Sequence, residues 1–314
     1  MRRRVRVPKS ERSHRIRALV CPGQGSQKKG FLSPWLEIEG VREHLERLSE
    51  AAGIDLIHYG TEAAEETIKD TAIAQPLIVA AGIVTGRLAL KDLEDEELVF
   101  AGHSVGEITA AALAGVLSEE DAMRFVRVRA NGMAEAAAAS PTGMAAVLGG
   151  VEDTVREAIA AAGLVAANSN GGGQIVAAGP IPAIEEFAAN PPARTRVIPL
   201  KVAGAFHTEA MAPAVPALKE FADSLKVSDP NSPLLTNRDG SVVTSGEEFV
   251  KTLVSQVTSP VRWDLCMATL LDRNVEGIIE VAPAGTLVGL AKRAMRGVPG
   301  TAINTPEDLD ALKA

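Results

Sequence analysis

Gly102-His103-Ser104-Val105-Gly106 restricts the fold more than any other segment of the chain. It sits between an apolar stretch, Leu98 to Ala101, which reads as a strand, and Glu107 to Ala114, a run of strong helix formers. A strand that turns into a helix within five residues brings backbone against backbone, so a Cβ at either glycine would clash. The serine is left with its hydroxyl exposed above the sheet. The amide of Val105 then points from a helix N-terminus at the spot where an oxyanion would form. Ser104 is therefore a candidate nucleophile; the plainer alternative is a glycine-rich turn with a capping serine.

The surrounding pattern is that of an α/β chain. Arg17 to Cys21 reads as a buried strand, Val41 to Ala52 and Ala74 to Leu90 as helices, and Ser118 to Ala139 as a helix with Ser118 at its N-cap and Asp121 as the acid of a capping box. After Pro141 the texture changes. Met144 to Leu148, Gly163 to Asn168, Gln174 to Ala178 and Arg196 to Pro199 read as strands, with helices at Glu152 to Ala162 and Pro182 to Asn190. That βαββαβ order is the split, ferredoxin-like pattern. Helices at Ala214 to Leu225 and Gly246 to Gln256, a strand at Gly277 to Val281 and a helix at Thr286 to Met295 complete the chain. The expected fold class is α/β, an α/β-hydrolase-like parallel-sheet core with an inserted ferredoxin-like small domain. Residues 16–140 and 203–314 would form the core, 141–202 the insert, and 1–15 a disordered basic extension.

Composition excludes several classes of function. Of 32 basic and 40 acidic residues, eight basic and one acidic lie in the first seventeen, which leaves the rest at net −15. A body so acidic is a poor general nucleic-acid binder, because phosphate contacts need a basic face. The basic head has no apolar segment of the secretory kind, although its arginines are compatible with an organellar presequence or a nucleic-acid arm. Aromatics are 3% of the chain, too few for base- or sugar-stacking platforms. The longest apolar runs are broken by Gly, Gln or charge before the roughly 18 residues that cross a bilayer, so no membrane association is expected. Cys21 and Cys266 are far apart and without metal-ligand spacing, so neither a disulfide nor a metal site is expected, and a reducing, cytoplasmic setting fits.

A nucleophilic serine needs a base, and the chain has five histidines. His14 lies in the basic head, His44 and His58 fall on or near an amphipathic helix and read as solvated, and His103 is better placed to shape the turn. His207, in Gly204-Ala205-Phe206-His207-Thr208, remains, where the insert returns to the core; a satisfied loop histidine is the alternative. Pro22-Gly23-Gln24-Gly25-Ser26-Gln27 follows the first strand and lacks the lysine and glycine spacing of a phosphate loop. In a doubly wound sheet it would lie beside the elbow, where its amides could supply a second oxyanion donor.

Taken together these segments resemble a known family. The Pro22–Gln27 loop, Gly102-His103-Ser104-Val105-Gly106-Glu107, Arg129, Gln174 in Asn168-Ser169-Asn170-Gly171-Gly172-Gly173-Gln174, His207, and Gln256 in Leu253-Val254-Ser255-Gln256-Val257 occur in the order and approximate spacing of malonyl-CoA:acyl carrier protein transacylases, from Ile16 to Asn304. The resemblance implies that Ser104 is acylated and His207 is its base. It places the oxyanion hole at the amides of Gln24 and Val105. It implies that Arg129 holds the malonyl carboxylate, that Gln256 supplies a backbone carbonyl orienting His207, and that Asn170 belongs to the substrate channel. Phe206 beside the acyl pocket would crowd a branched substrate. Malonyl-CoA would be the substrate and acyl carrier protein the partner, in fatty acid synthesis, by a ping-pong mechanism and in a monomer with no tightly bound cofactor and no metal. Lys28, Lys29, Arg194, Arg196, Lys201, Arg293 and Arg296 are candidates for a docking patch toward an acidic carrier. Two other readings stand beside this one. A serine hydrolase would draw its acid from Asp153, Glu185 or Glu186, and a non-catalytic scaffold would use the basic arm.

Overall fold

The computed structural model describes residues 15–313, so the expected basic extension lies outside the described residues except for Arg15. The strands are β1 (Ile16–Cys21), β2 (Glu97–Gly102), β3 (Thr142–Gly149), β4 (Val165–Gly171), β5 (Gln174–Pro180), β6 (Thr195–Pro199), β7 (Val261–Arg262), β8 (Gly277–Glu280) and β9 (Gly300–Ala302). The helices are α1 (Val41–Ala52), α2 (Leu56–Thr61), α3 (Thr71–Lys91), α4 (Gly106–Leu113), α5 (Glu119–Ala139), α6 (Glu152–Ala161), α7 (Ile181–Ala189), α8 (Val215–Asp223), α9 (Gly246–Ser255), α10 (Trp263–Asp272) and α11 (Thr286–Ala294).

The larger sheet has the order β2-β1-β8-β9 and every pairing in it is parallel. Parallel strands covered on both faces are largely apolar, and Ala18–Cys21, Val99–Gly102 and all of β8 are buried, the one acid among them, Glu280, accepting from the amides of Gly285, Leu287 and Val288. Leu234 adds a single parallel bridge beside Phe100 at the β2 edge. The smaller sheet, β6-β3-β5-β4-β7, is antiparallel except where β7, from the C-terminal part of the chain, joins β4 in parallel. Its first four strands with α6 and α7 make the ferredoxin-like unit, with its own core of Val147, Val155, Ile159, Ile175, Ile184 and Phe187.

α3 corrects one expectation. Its 21 residues are long and apolar enough to cross a bilayer, yet 78% of its most apolar window is buried inside the protein, so it is the central helix of the core. Asp70 caps it through the amide of Ala72, which moves its start ahead of Ala74. Ser118 caps α5 as expected by accepting from the Asp121 amide. The Asp121 side chain turns to Arg124 instead of completing a capping box. α10, β7 and β9 are not expected from the sequence. His44, which reads as solvated, has a structural partner. His44 bonds Glu119 at 2.6 Å, Glu119 also takes Arg87 at 2.6 Å, and Arg127 donates to the Ala72 carbonyl at 2.7 Å. Burial pushes the Glu119 carboxyl up, but the bonds from His44 and Arg87 outweigh it and hold the group down to about 2.

Candidate active site

The elbow forms because two glycines permit it. A Cβ on Gly102 would lie 2.0 Å from the Gly106 carbonyl carbon, and one on Gly106 would lie 2.2 Å from the Cys21 oxygen. Between them Ser104 takes φ 54°, the left-handed region, which aims its hydroxyl off the end of β2. Asn237 ties this turn down: its Oδ1 accepts from the Ser104 amide at 2.7 Å and its Nδ2 donates to the Gly102 carbonyl at 2.6 Å. The Ser104 amide is thereby committed, whereas among the described residues the amides of Gln24 and Val105 donate to no protein acceptor.

His207 is 3% exposed and also left-handed, at φ 61°. Its Nδ1 lies 2.8 Å from the Gln256 carbonyl oxygen, which can only accept, so Nδ1 carries the hydrogen and Nε2 is left with a lone pair. That Nε2 is 2.8 Å from Ser104 Oγ, which donates to it. Burial and then the charge of Arg129 push His207 down to about 3, so the ring is neutral across the neutral range. A backbone carbonyl thus stands where a Ser–His–Asp triad would place its acid. Asp153, Glu185 and Glu186 lie exposed on α6 and α7, which removes the acid that the hydrolase reading required.

Arg129, on α5, is 1% exposed. Its Nη1 donates to Gln75 Oε1 at 2.6 Å, and its Nη2 donates to Gln256 Oε1 at 2.8 Å and reaches toward Ser104 Oγ at 3.4 Å. Burial lowers the guanidinium to about 10 and Glu107 works against that, so it stays charged. A cavity of about 240 Å³ opens over the pair, with Gln24, Val105, Met133, Asn170 and Phe206 in its walls. Asn170 does more than line it, because its Oδ1 is 2.8 Å from His103 Nε2 and its Nδ2 donates to Gln174. The small sheet therefore grips the elbow through His103. Among the described residues no cluster of His, Cys, Asp and Glu could hold a metal ion.

Three residues of this cluster escape the sequence reading. Gln75 and Glu107 stand as strongly polar side chains in the buried parts of mostly apolar helices, a signal in the sequence itself. Asn237 comes from a loop and gives none.

Parallel sheet, elbow and inserted unit together define an acyltransferase of the α/β class. The chain belongs to the acyl transferase domain family, whose model matches residues 18–305. It is 51% identical over 297 residues to a malonyl CoA-acyl carrier protein transacylase of Mycobacterium tuberculosis, covering 94% of this chain and 98% of that protein. With the enzyme of the same name from Escherichia coli it shares 32% identity over 301 residues, covering 94% and 97%. The crystal structure of MCAT from Mycobacterium tuberculosis superposes with a TM-score of 0.93 at 50% identity, covering 95% of this chain and 100% of that one. A malonyl-transacylase solved in complex with a type II PKS acyl-carrier protein gives 0.89 at 28% identity, covering 95% and 98%.

Proposed function

We propose that the chain moves the malonyl group from malonyl-CoA to the phosphopantetheine thiol of an acyl carrier protein through a malonyl ester on Ser104. One observation carries this reading: Ser104 and His207 line one cavity, and Ser104 Oγ stands 2.8 Å from that neutral, buried imidazole and 3.4 Å from the buried guanidinium of Arg129 behind it. The first neighbour suits an acyl nucleophile, and the second suits an acyl group that ends in a carboxylate.

Ser104 attacks the thioester carbonyl while His207 Nε2 takes its proton, and the tetrahedral oxyanion rests on the amides of Gln24 and Val105. Losing one such donor typically costs about 10²–10³ in rate. Collapse breaks the carbon–sulfur bond, and the imidazolium returns its proton to the departing CoA thiolate. A thiol leaves far more easily than an amine, which is why a carbonyl in the third position is sufficient. The carrier's thiol then gives its proton to His207, attacks the ester, and leaves with the malonyl group as Ser104 recovers its hydrogen. Arg129 pairs with the malonyl carboxylate in a dry wall, and acetyl leaves that charge unpaired. Phe206, 7% exposed and next to His207, crowds a methyl branch at C2.

The proposal extends to organisation: a core of residues 16–140 and 203–314, an insert of 141–202 carrying Asn170, a monomer, and a cytoplasmic location. Intact-mass measurement after brief incubation with malonyl-, acetyl- or methylmalonyl-CoA tests the chemistry. Wild type is expected to gain a malonyl mass, Ser104→Ala none, and Arg129→Ala less malonyl with relatively more acetyl. Steady release of CoA without an adduct would make water the acceptor and the protein a hydrolase.

A further inference from the structure

Behind Ser104 lies a carboxyl that none of these steps uses. Glu107 is the one charged residue of α4 and is 0% exposed. Burying an acid is costly unless its oxygens find donors, and both of these do. Oε1 accepts from the Asn237 amide at 2.6 Å, and Oε2 accepts from Gln256 Nε2. Two arms run forward from there. Asn237 holds the Ser104 amide and the Gly102 carbonyl. Gln256 donates to the Ser104 carbonyl at 3.0 Å, presents its Oε1 to Arg129 at 2.8 Å, and gives its backbone carbonyl to His207 at 2.8 Å.

The Gln256 side chain has a donating end and an accepting end, so whichever faces Glu107 decides which faces Arg129. A carboxylate only accepts, so Nε2 turns toward it and the oxygen is left for the guanidinium. The reverse orientation would set an NH₂ group against a cation. We infer that Glu107 is a positioning residue for acyl selection: by accepting from Asn237 and from Gln256 it fixes the sense of the Gln256 amide and so aims Arg129 at the acyl group on Ser104. The inference deepens the malonyl-transfer reading and rests on it.

Glu107→Gln keeps the shape and leaves one acceptor oxygen for two donors. A backbone N–H cannot turn away and a side-chain amide can, so the variant would keep its bond from Asn237, and Gln256 would flip. Burial pushes Glu107 up to about 8, against the pull of the Asn237 amide, the Gln256 amide and Arg129. The ionisable groups facing it are Arg129 from α5 and Cys266 from α10, with His207 beyond Gln256. Arg129 sits at about 10, His207 at about 3, and burial pushes Cys266 well above the usual thiol range, so none of them titrates near neutrality.

The experiment measures kcat and KM for acylation by malonyl-CoA and acetyl-CoA, in wild type and Glu107→Gln, from about pH 6 to about pH 9. Wild type is expected to load malonyl and to favour it more strongly as pH rises through about 8. Above about pH 8, where wild-type Glu107 is ionised, the malonyl kcat/KM of Glu107→Gln should fall about ten- to hundredfold below wild type, the range for a lost hydrogen bond to a charged group, with acetyl changed little and the variant's ratio flat with pH. Malonyl and acetyl falling together, or an unchanged ratio, overturns the inference alone. A wild type that loads no acyl group overturns it together with the reading beneath it. If the variant does not fold, the wild-type profile decides, because a malonyl-to-acetyl ratio flat across that range also overturns it.

Discussion

In the proposed reaction the chemistry at Ser104 and His207 depends on keeping an imidazole neutral inside protein. Burial, then Arg129, holds His207 near 3 against an ordinary value of 6.5. A depressed folded value contributes stability above the ordinary imidazole range, and that contribution is lost as pH falls through about 3. The same sign governs catalysis. The acylation rate at low substrate, which reports the free enzyme, should show no acid limb near pH 6.5. At saturating malonyl-CoA the carboxylate cancels the charge of Arg129, so the limb should move upward. Single-turnover acylation against pH checks both, and a limb at the ordinary imidazole value at low substrate would mean that His207 is not the base. Ser104 is legible because a five-residue turn announces itself. His207 is reached by elimination, and Arg129 and Gln256 only through the resemblance. Glu107 shows only as a charged residue in a buried helix, with nothing to tell its role, and Asn237 stays hidden because its role is to hold other residues, which no local spacing encodes.

Among elements, the β2–α4 junction is the most constrained. α4 packs so close to β1 that a methyl group on Gly106 would meet the Cys21 oxygen at 2.2 Å and the Pro22 oxygen at 2.8 Å. Both are backbone atoms and cannot rotate aside. Gly106→Ala should therefore cost more than about 4 kcal/mol, among the largest effects of a single substitution, or leave the chain unfolded. Urea denaturation followed by circular dichroism checks this, and a loss under about 1 kcal/mol would show that the helix can slide away from β1. Elements with strong periodicity are readable in advance. α10 is missed although Trp263, Cys266, Met267 and Leu270 are buried at helical spacing, because it starts directly from the two-residue strand β7 without a capping side chain. β7 and β9 are too short to show alternation. Their existence follows from what they pair with, β4 and β8, and not from their own residues.

For the molecule as a whole, charge poses the remaining problem. The chain is net −8, and an acidic carrier protein would be repelled by it on average. Productive docking therefore needs a local reversal of sign. Lys28, Lys29, Arg194, Arg196, Lys201, Arg293 and Arg296 are all exposed and come from both the core and the inserted unit. If they receive the carrier, its KM should rise with salt, because screening shortens to about 3 Å at 1 M from about 10 Å at 0.1 M. Free pantetheine carries the same thiol and no net charge, so its transfer rate isolates the chemistry from the docking. Raising salt across that range should weaken transfer to carrier protein several-fold and leave transfer to pantetheine nearly unchanged. Arg194→Glu with Arg196→Glu should reproduce the loss at low salt and remove most of the salt dependence, as expected of charges that govern encounter more than chemistry. Equal salt sensitivity for both acceptors would place the effect in the fold or the cavity, and the carrier would then approach by a face these residues do not mark.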